Sequence, residues 1–185
     1  DYFTKFGVAQ KEIDFALTDV TTEVSLKVLE LKRHIEDKTG GAGTKGIHVF
    51  VSPEFFDALT THPKVKADFD RWQDNSHGRE DNRTNFVYKG VMFEEYNQTT
   101  SDEDDNAVRF IAAGEAHAFP VGGRGVFLHR DCPAPYNDTV NTMGLPFYAS
   151  QEPKKHNTGM DLEAQTNPII VCTRPEALVL CKISA

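Results

Sequence analysis

Gly114-Glu115-Ala116-His117-Ala118-Phe119-Pro120 leads into Val121-Gly122-Gly123, then Pro133-Ala134-Pro135, then Asn141-Thr142-Met143-Gly144-Leu145-Pro146. Thr166-Asn167-Pro168 follows, and Arg174-Pro175-Glu176-Ala177-Leu178-Val179 opens a closing apolar strand. From Gly114 to Pro146 the Gly and Pro residues predict irregular or short-stranded chain, Phe127-Leu128 included. Leu162–Asn167, Ile169–Cys172 and Leu178–Ile183 read as strands.

Upstream, the aromatic-rich Tyr2-Phe3-Thr4-Lys5-Phe6 reads as a short strand, interrupted by Gly7. Glu12–Leu17 alternates polar and apolar residues, the period of a half-buried strand. Residues 21–38 read as a helix. Asp19, Thr21 or Thr22 can cap it, and Val24, Val28, Leu31 and Ile35 form one apolar stripe. Gly40-Gly41-Ala42-Gly43 stops it. Ile47–Val51 is a short buried strand. Ser52-Pro53-Glu54 then opens a helix with Ser as cap and Pro in the first turn, burying Phe55, Phe56 and Leu59. Pro63 starts a further helical stretch to about Trp72. Residues 73–84 read as a polar surface loop. Phe86–Tyr96 reads as a hairpin turning near Lys89-Gly90, and Val108–Ala113 as a strand. The mixed order of elements, with no βαβ alternation and no internal repeat, predicts an α+β fold with largely antiparallel sheets.

Composition narrows the function classes. The 185 residues are 39% hydrophobic, which supports a core and excludes disorder. The net charge of -8, with no long basic run, excludes a general nucleic-acid binder. Cys132, Cys172 and Cys181 are odd in number and lack CxxC spacing, so neither a disulfide framework nor a zinc site is expected. That usage fits a reducing cytoplasm. No apolar run approaches the roughly 18–20 residues of a membrane helix. The chain starts at Asp1 rather than Met, and is read as a fragment.

Several stretches look like chemistry and are weighed against plainer readings. Gly40–Gly46 resembles a phosphate loop, but Thr44 precedes Lys45 and a helix leads in, so a linker is the better reading. Asp102-Glu103-Asp104-Asp105-Asn106 lacks the Gly and Glu of a calcium loop, with Ala107 and Ala113 in their places, and reads as a hairpin tip. His62, His77, His117 and His129 show no paired ligand spacing, and His117 reads as a structural histidine. Trp72, like Phe55 and Phe56, reads as core. His129-Arg130-Asp131-Cys132 invites a nucleophile reading, but neighbours on a strand point to opposite faces. Gly122-Gly123-Arg124-Gly125 could hold an anion, or simply let the chain reverse. A small hydrolase-like enzyme or an anion-binding module using His129–Cys132 and Gly122–Gly125 is therefore the alternative reading. No catalytic, cofactor-binding or metal-ligating residue is assigned, and no cofactor is expected.

The order of Phe6-Gly7-Val8, the long helix, the Val51-Ser52-Pro53-Glu54 unit, the Phe86–Val91 hairpin and the Gly/Pro motifs quoted first resembles the lambda-type (E family) major capsid proteins of tailed phages. The resemblance covers nearly the whole chain. It implies the tailed-phage capsid fold (Hong Kong 97 type), an axial domain plus part of the peripheral domain. Residues 20–145 would be axial, and 1–19 and 146–185 strands of the peripheral domain. The N-terminal arm, extended loop and spine helix are expected upstream of Asp1. It also implies a non-enzymatic subunit that self-assembles into the icosahedral head of a phage or prophage around double-stranded DNA. The expected partners are copies of itself in pentamers and hexamers, with scaffold or decoration proteins. Neither specific nucleic-acid binding nor a membrane is expected. The expected location is the virion capsid, after synthesis in the bacterial host cytoplasm.

Overall fold

The structure, a computed structural model, describes residues 2–40, 44–70, 83, 85–102, 104–123 and 125–183. Its helices are α1 (Tyr2–Phe6), α2 (Val24–Thr39), α3 (Pro53–Thr61) and α4 (Pro63–Asp70). Its strands are β1 (Lys11–Asp14), β2 (Gly46–Val51), β3 (Phe86–Tyr88), β4 (Val91–Glu95), β5 (Thr99–Ser101), β6 (Ala107–Arg109), β7 (Glu115–Val121), β8 (Phe127–Asp131), β9 (Tyr148–Pro153), β10 (Met160–Gln165), β11 (Pro168–Cys172) and β12 (Val179–Lys182). The chain divides into two units, Asp1–Val126 with Arg174–Ala185, and Phe127–Thr173.

The first unit is built on a six-stranded sheet in the order β1-β12-β7-β2-β4-β3. Three ladders are antiparallel, as expected for most of the chain, but β1 runs parallel to β12 and β2 parallel to β4. Period 2 sorts the side chains. Ile47, Val49 and Val51 on β2, Val91 and Phe93 on β4, Ala116 and Ala118 on β7, and Cys181 on β12 are buried on one face. In register, Val49 lies between Phe93 and Ala118, and Ile13 beside Cys181, so these residues form a continuous layer.

Helices contribute to the same core. Val24, Val28, Leu31 and Ile35 of α2 are each 0% exposed, as the stripe predicts. At about 1.5–3 kcal/mol for each buried aliphatic side chain, packing rather than propensity holds the helix. Gly40 ends it at φ 59°, the left-handed position where a Cβ is costly. Its start differs from the expectation. The Asp19 carboxylate accepts from Thr21 N–H at 2.9 Å and Thr21 Oγ1–H at 2.8 Å, closing a turn ahead of the helix. The helix therefore begins at Val24, with no side-chain cap. On α3 the expected cap is present, Phe55 N–H donating to Ser52 Oγ at 3.3 Å with Pro53 in the first turn.

Three strand readings need correction. Residues 2–6 are helical, with Val8 N–H donating to Phe3 O at 3.0 Å. Aromatic residues favour strands only where a pleated neighbour offers a face. Val108–Ala113 is strand only at its start, in β6. Gly114–Pro120 is the opposite case, since β7 is a full central strand. Its Pro120 lies beyond the β12 ladder, which ends at Ala118, and a missing N–H costs least at such a position. The 86–96 hairpin turns as expected at Lys89 and Gly90, with φ 50° and 80°. Residues 71–82 and 84, with Trp72, His77 and most of the expected 73–84 loop, lie outside the described residues.

The second unit is two antiparallel ribbons, β8 with β11 and β9 with β10. Ala134, Tyr148 and Cys172 are its buried side chains among the described residues.

Replacing Leu31 by Ala is expected to lower the stability of the first unit by about 2–5 kcal/mol, the usual cost of a core cavity. Urea unfolding followed by circular dichroism measures it.

Candidate functional site

Ser52 joins two of the motifs that the sequence sets far apart. It is 0% exposed. Its Oγ accepts from Phe55 N–H at the head of α3 and from Gly114 N–H at 3.0 Å. Its own N–H donates to Glu115 O at 3.0 Å. The cap of α3 is thus also the anchor for the start of β7. Gly114, at φ 78°, makes the turn that aims its N–H at the hydroxyl. Two residues on, Glu54 receives Arg109 Nη1–H at 2.6 Å. That guanidinium holds the Glu54 carboxyl below the usual carboxylate range. Ser-Pro-Glu therefore ties α3 to both β7 and β6.

Arg174 does a similar job at the far end of α2. Its guanidinium donates to the carbonyl oxygen of Thr39, which the helix leaves unpaired, while Lys38 pairs with Glu176 at 3.1 Å. His34 Nε2 lies 3.0 Å from Glu176 O. The Arg-Pro-Glu motif is a clamp on a helix end.

In the second unit, Gly144 explains the Asn-Thr-Met-Gly-Leu-Pro motif. A Cβ there would lie 1.8 Å from Asp131 O and 2.7 Å from Cys132 C, so the segment crosses its neighbour backbone-to-backbone. Leu145 N–H donates to Tyr148 Oη at 2.8 Å, and Thr166 Oγ1–H to Pro146 O at 2.8 Å, fixing the same crossing. Cys132 N–H donates to Asn167 O at 2.8 Å, which brings Pro133-Ala134 beside Asn167-Pro168.

The residues singled out as chemistry do not converge. His129 Nε2 is 3.6 Å from Asp131 Oδ1, on an imidazole 60% exposed, and no described contact joins it to Cys132. His62 is buried and satisfied. Its Nδ1 accepts from Lys64 N–H at 3.3 Å, so its Nε2–H is the donor to Asp19 O at 3.1 Å. His117 is half-buried on β7, and burial pushes its pKa below the ordinary imidazole value despite Glu115. Cys181 is fully buried, and its thiol is pushed up to about 12, an inert form. Asp102 accepts from Asp104 N–H, Asn106 N–H and Asn106 Nδ2–H, so its carboxylate builds the β5–β6 tip. Glu103 lies outside the described residues, as do Gly41–Gly43 and Arg124. Lys45 packs its stem against Gly122, where a Cβ would lie 2.8 Å from Lys45 Cγ. Among the described residues no group of three or more His, Cys, Asp or Glu could hold a metal. No described helix is long and apolar enough to cross a membrane.

What the molecule does offer is surface. Met143 and Leu162 of the second unit are 89% and 79% exposed, and Val140, Phe147 and Ile170 are also mostly exposed. On the β9–β10 ribbon, Met160, Leu162 and Ala164 share one face, while Asp161 and Glu163 share the other. Exposed apolar faces of this kind mark interaction surfaces rather than active sites.

Comparisons with known proteins agree with that character. The family described as Phage major capsid protein E matches residues 1–183. The chain is 29% identical over 208 residues to the major capsid protein of Salmonella phage Felix O1, covering 97% of this chain and 56% of that one. It is 26% identical over 191 residues to the major capsid protein of Pseudomonas phage KPP10, covering 97% and 54%. The chain spans about half the length of these relatives. A solved prophage protein from E. coli CFT073, a candidate capsid protein by its description, superposes with a TM-score of 0.56 at 16% identity, over 93% of this chain and 52% of that one.

Two substitutions test the joints. Ser52→Ala leaves the Phe55 and Gly114 N–H groups without their acceptor and is expected to cost about 1–3 kcal/mol in urea unfolding. Gly144→Ala cannot seat against Asp131 and Cys132, and is expected to open the 133–147 segment to limited proteolysis while the far-ultraviolet signal of the helices is kept.

Proposed function

Because the chain belongs to the Phage major capsid protein E family, we propose that it is part of the major subunit of a phage or prophage head, which self-assembles into an icosahedral shell around double-stranded DNA. Its fold is the expected α+β fold of Hong Kong 97 type capsid proteins. The family match across residues 1–183 is the observation that carries the reading. The role is structural. On this reading His129 and Cys132 do no chemistry, and no anion site at Gly122–Gly125 is needed. Copies of the subunit meet in capsomers of five and six, helped by scaffold or decoration proteins, in a virion made in the bacterial cytoplasm.

The first unit is read as the axial domain, and residues 127–173 as peripheral-domain strands. The support is the sheet itself. β1 and β12, expected from the sequence to be peripheral, share the ladder β1-β12-β7-β2 with segments expected to be axial. On this reading the boundaries move from 19/20 and 145/146 to 126/127 and 173/174. The exposed apolar residues of the second unit suit a subunit whose surfaces are covered in an assembly.

The test is negative-stain electron microscopy of the complete gene product after sedimentation. Closed shells, tubes or rings of five and six are expected, and they should form equally from a His129→Ala, Cys132→Ala double variant. A monomer that persists in the presence of its scaffold, or assembly lost in the double variant with the subunit folded, would contradict the proposal.

A further inference from the structure

The β5–β6 hairpin buries none of its own side chains. Thr99, Thr100 and Ser101 of β5 and Ala107, Val108 and Arg109 of β6 are all exposed, so both faces of the ribbon lie open among the described residues. Each strand has only the other as its ladder partner. A two-stranded ribbon is marginal in water by itself. This one is braced at both ends. At its tip the Asp102 carboxylate accepts from the N–H groups of Asp104 and Asn106, and Asp102 N–H donates to Asn106 O at 3.0 Å. At its base Arg109 pairs with Glu54 at 2.6 Å. The Phe110 ring meets Tyr96 at 6.2 Å, and Tyr96 meets Phe50 of β2 at 5.2 Å. The hairpin is thus a stiff projection that adds nothing to the hydrophobic core of its own unit.

We infer that this hairpin is a docking arm for a second copy of the chain, and that its tip seats on a lysine corner at the opposite end of the neighbour's sheet. The inference rests on the shell reading above and names a contact between its copies. Charge complementarity selects the occupant. Asp104 and Asp105 are exposed beside Asp102 at the tip. Three elements build the corner. Lys32 of α2 donates to Lys89 O at 3.3 Å. Lys45 precedes Ile47 by two residues, and Lys89 precedes by two residues Val91, the register partner of Ile47. Lys45 lays its stem along Gly122, and Lys89 pairs with Asp68 at 2.9 Å. Three ammonium groups against that one carboxylate leave the corner positive.

The placement suits a contact between unlike patches. The Lys89–Gly90 turn leads into β4, and the hairpin follows the other end of the same strand. The five residues of β4, about 16 Å of strand, hold arm and corner apart in one copy. The same polarity holds on β2, with Lys45 just before its start and Glu54, which anchors Arg109, just past its end. A tip at one end and its receptor at the other make a heterologous contact, which closes a ring when the rotation between copies repeats. Opposite charges on the two patches also orient the approach of one copy to the next.

Four forms of the complete gene product test the arm by sedimentation and negative-stain electron microscopy at about 0.15 M salt. They are the wild type, Asp104→Lys with Asp105→Lys, Lys32→Glu with Lys45→Glu, and all four changes together. Asp102 and Lys89 are kept, because their side chains hold the tip and the turn. Each double reversal is expected to lower the assembled fraction about tenfold or more with circular dichroism unchanged, and the fourfold variant to recover it. A reversed tip that assembles like the wild type overturns the inference. So does a fourfold variant that folds and stays unassembled, since the tip then meets another surface or another protein. If a reversed variant does not fold, Asp104→Asn with Asp105→Asn and Lys32→Gln with Lys45→Gln replace it. Their losses should then not add when combined, and additive losses overturn the inference. A wild type that fails to assemble with its scaffold overturns the shell reading itself, whereas a wild type that assembles while its charges prove irrelevant overturns only the arm.

Discussion

The buried Ser52 hydroxyl accepts N–H groups from two segments, Phe55 on α3 and Gly114, 62 residues further on from Ser52, before β7. A hydroxyl in that position has to be satisfied or it costs the desolvation of a polar group. Satisfying it fixes three things together: where α3 starts, where β7 starts, and how far β2 runs before it ends. The β2–β7 ladder then has its register set from one end by a side chain rather than by a tight turn. Since that ladder alone connects the two halves of the sheet, the placement of α2, α3 and both edge strands depends on it.

The two units rely on different physics. The first has a layered core, with α2 and α3 against the sheet, and side-chain clamps at Ser52 and Arg174. The second consists of two two-stranded ribbons, a form only marginally stable in water by itself. It compensates with backbone contacts, such as the Gly144 crossing, and with the Tyr136–Tyr148 ring contact at 6.4 Å. It leaves large apolar side chains in solvent. Apolar side chains left in solvent by one subunit are what the proposed shell role calls for, since an assembly would cover them.

Much of the first unit was legible because its signals are local. The α2 stripe, the Ser52-Pro53 cap and the Lys89-Gly90 turn each depend on residues within one or two turns of each other. The errors fall where a distant partner decides. β7 reads from the sequence as irregular or short-stranded because Gly114 and Pro120 bracket it, yet pairing on both sides with β2 and β12 makes it a full central strand. Tyr2–Phe6 looked extended by its aromatics, and local helical bonds prevailed. The bonds of Ser52 to Gly114 and Glu115 could not be read from spacing at all. Gly144 was visible only as part of a motif, and the physical demand behind it is the backbone of Asp131 and Cys132. The family resemblance was legible for the same reason, since turn-forming Gly and Pro residues mark where a fixed topology changes direction.

The most direct test of the structural role is a cryo-electron microscopy reconstruction of purified heads of the phage or prophage that encodes this chain. The account predicts that residues 2–183 can be traced in the repeating shell density, with the β1-β12-β7-β2-β4-β3 sheet intact and Met143, Leu162 and Ile170 covered by protein. A shell whose density traces a different polypeptide, or one in which those three side chains face open solvent, would contradict it.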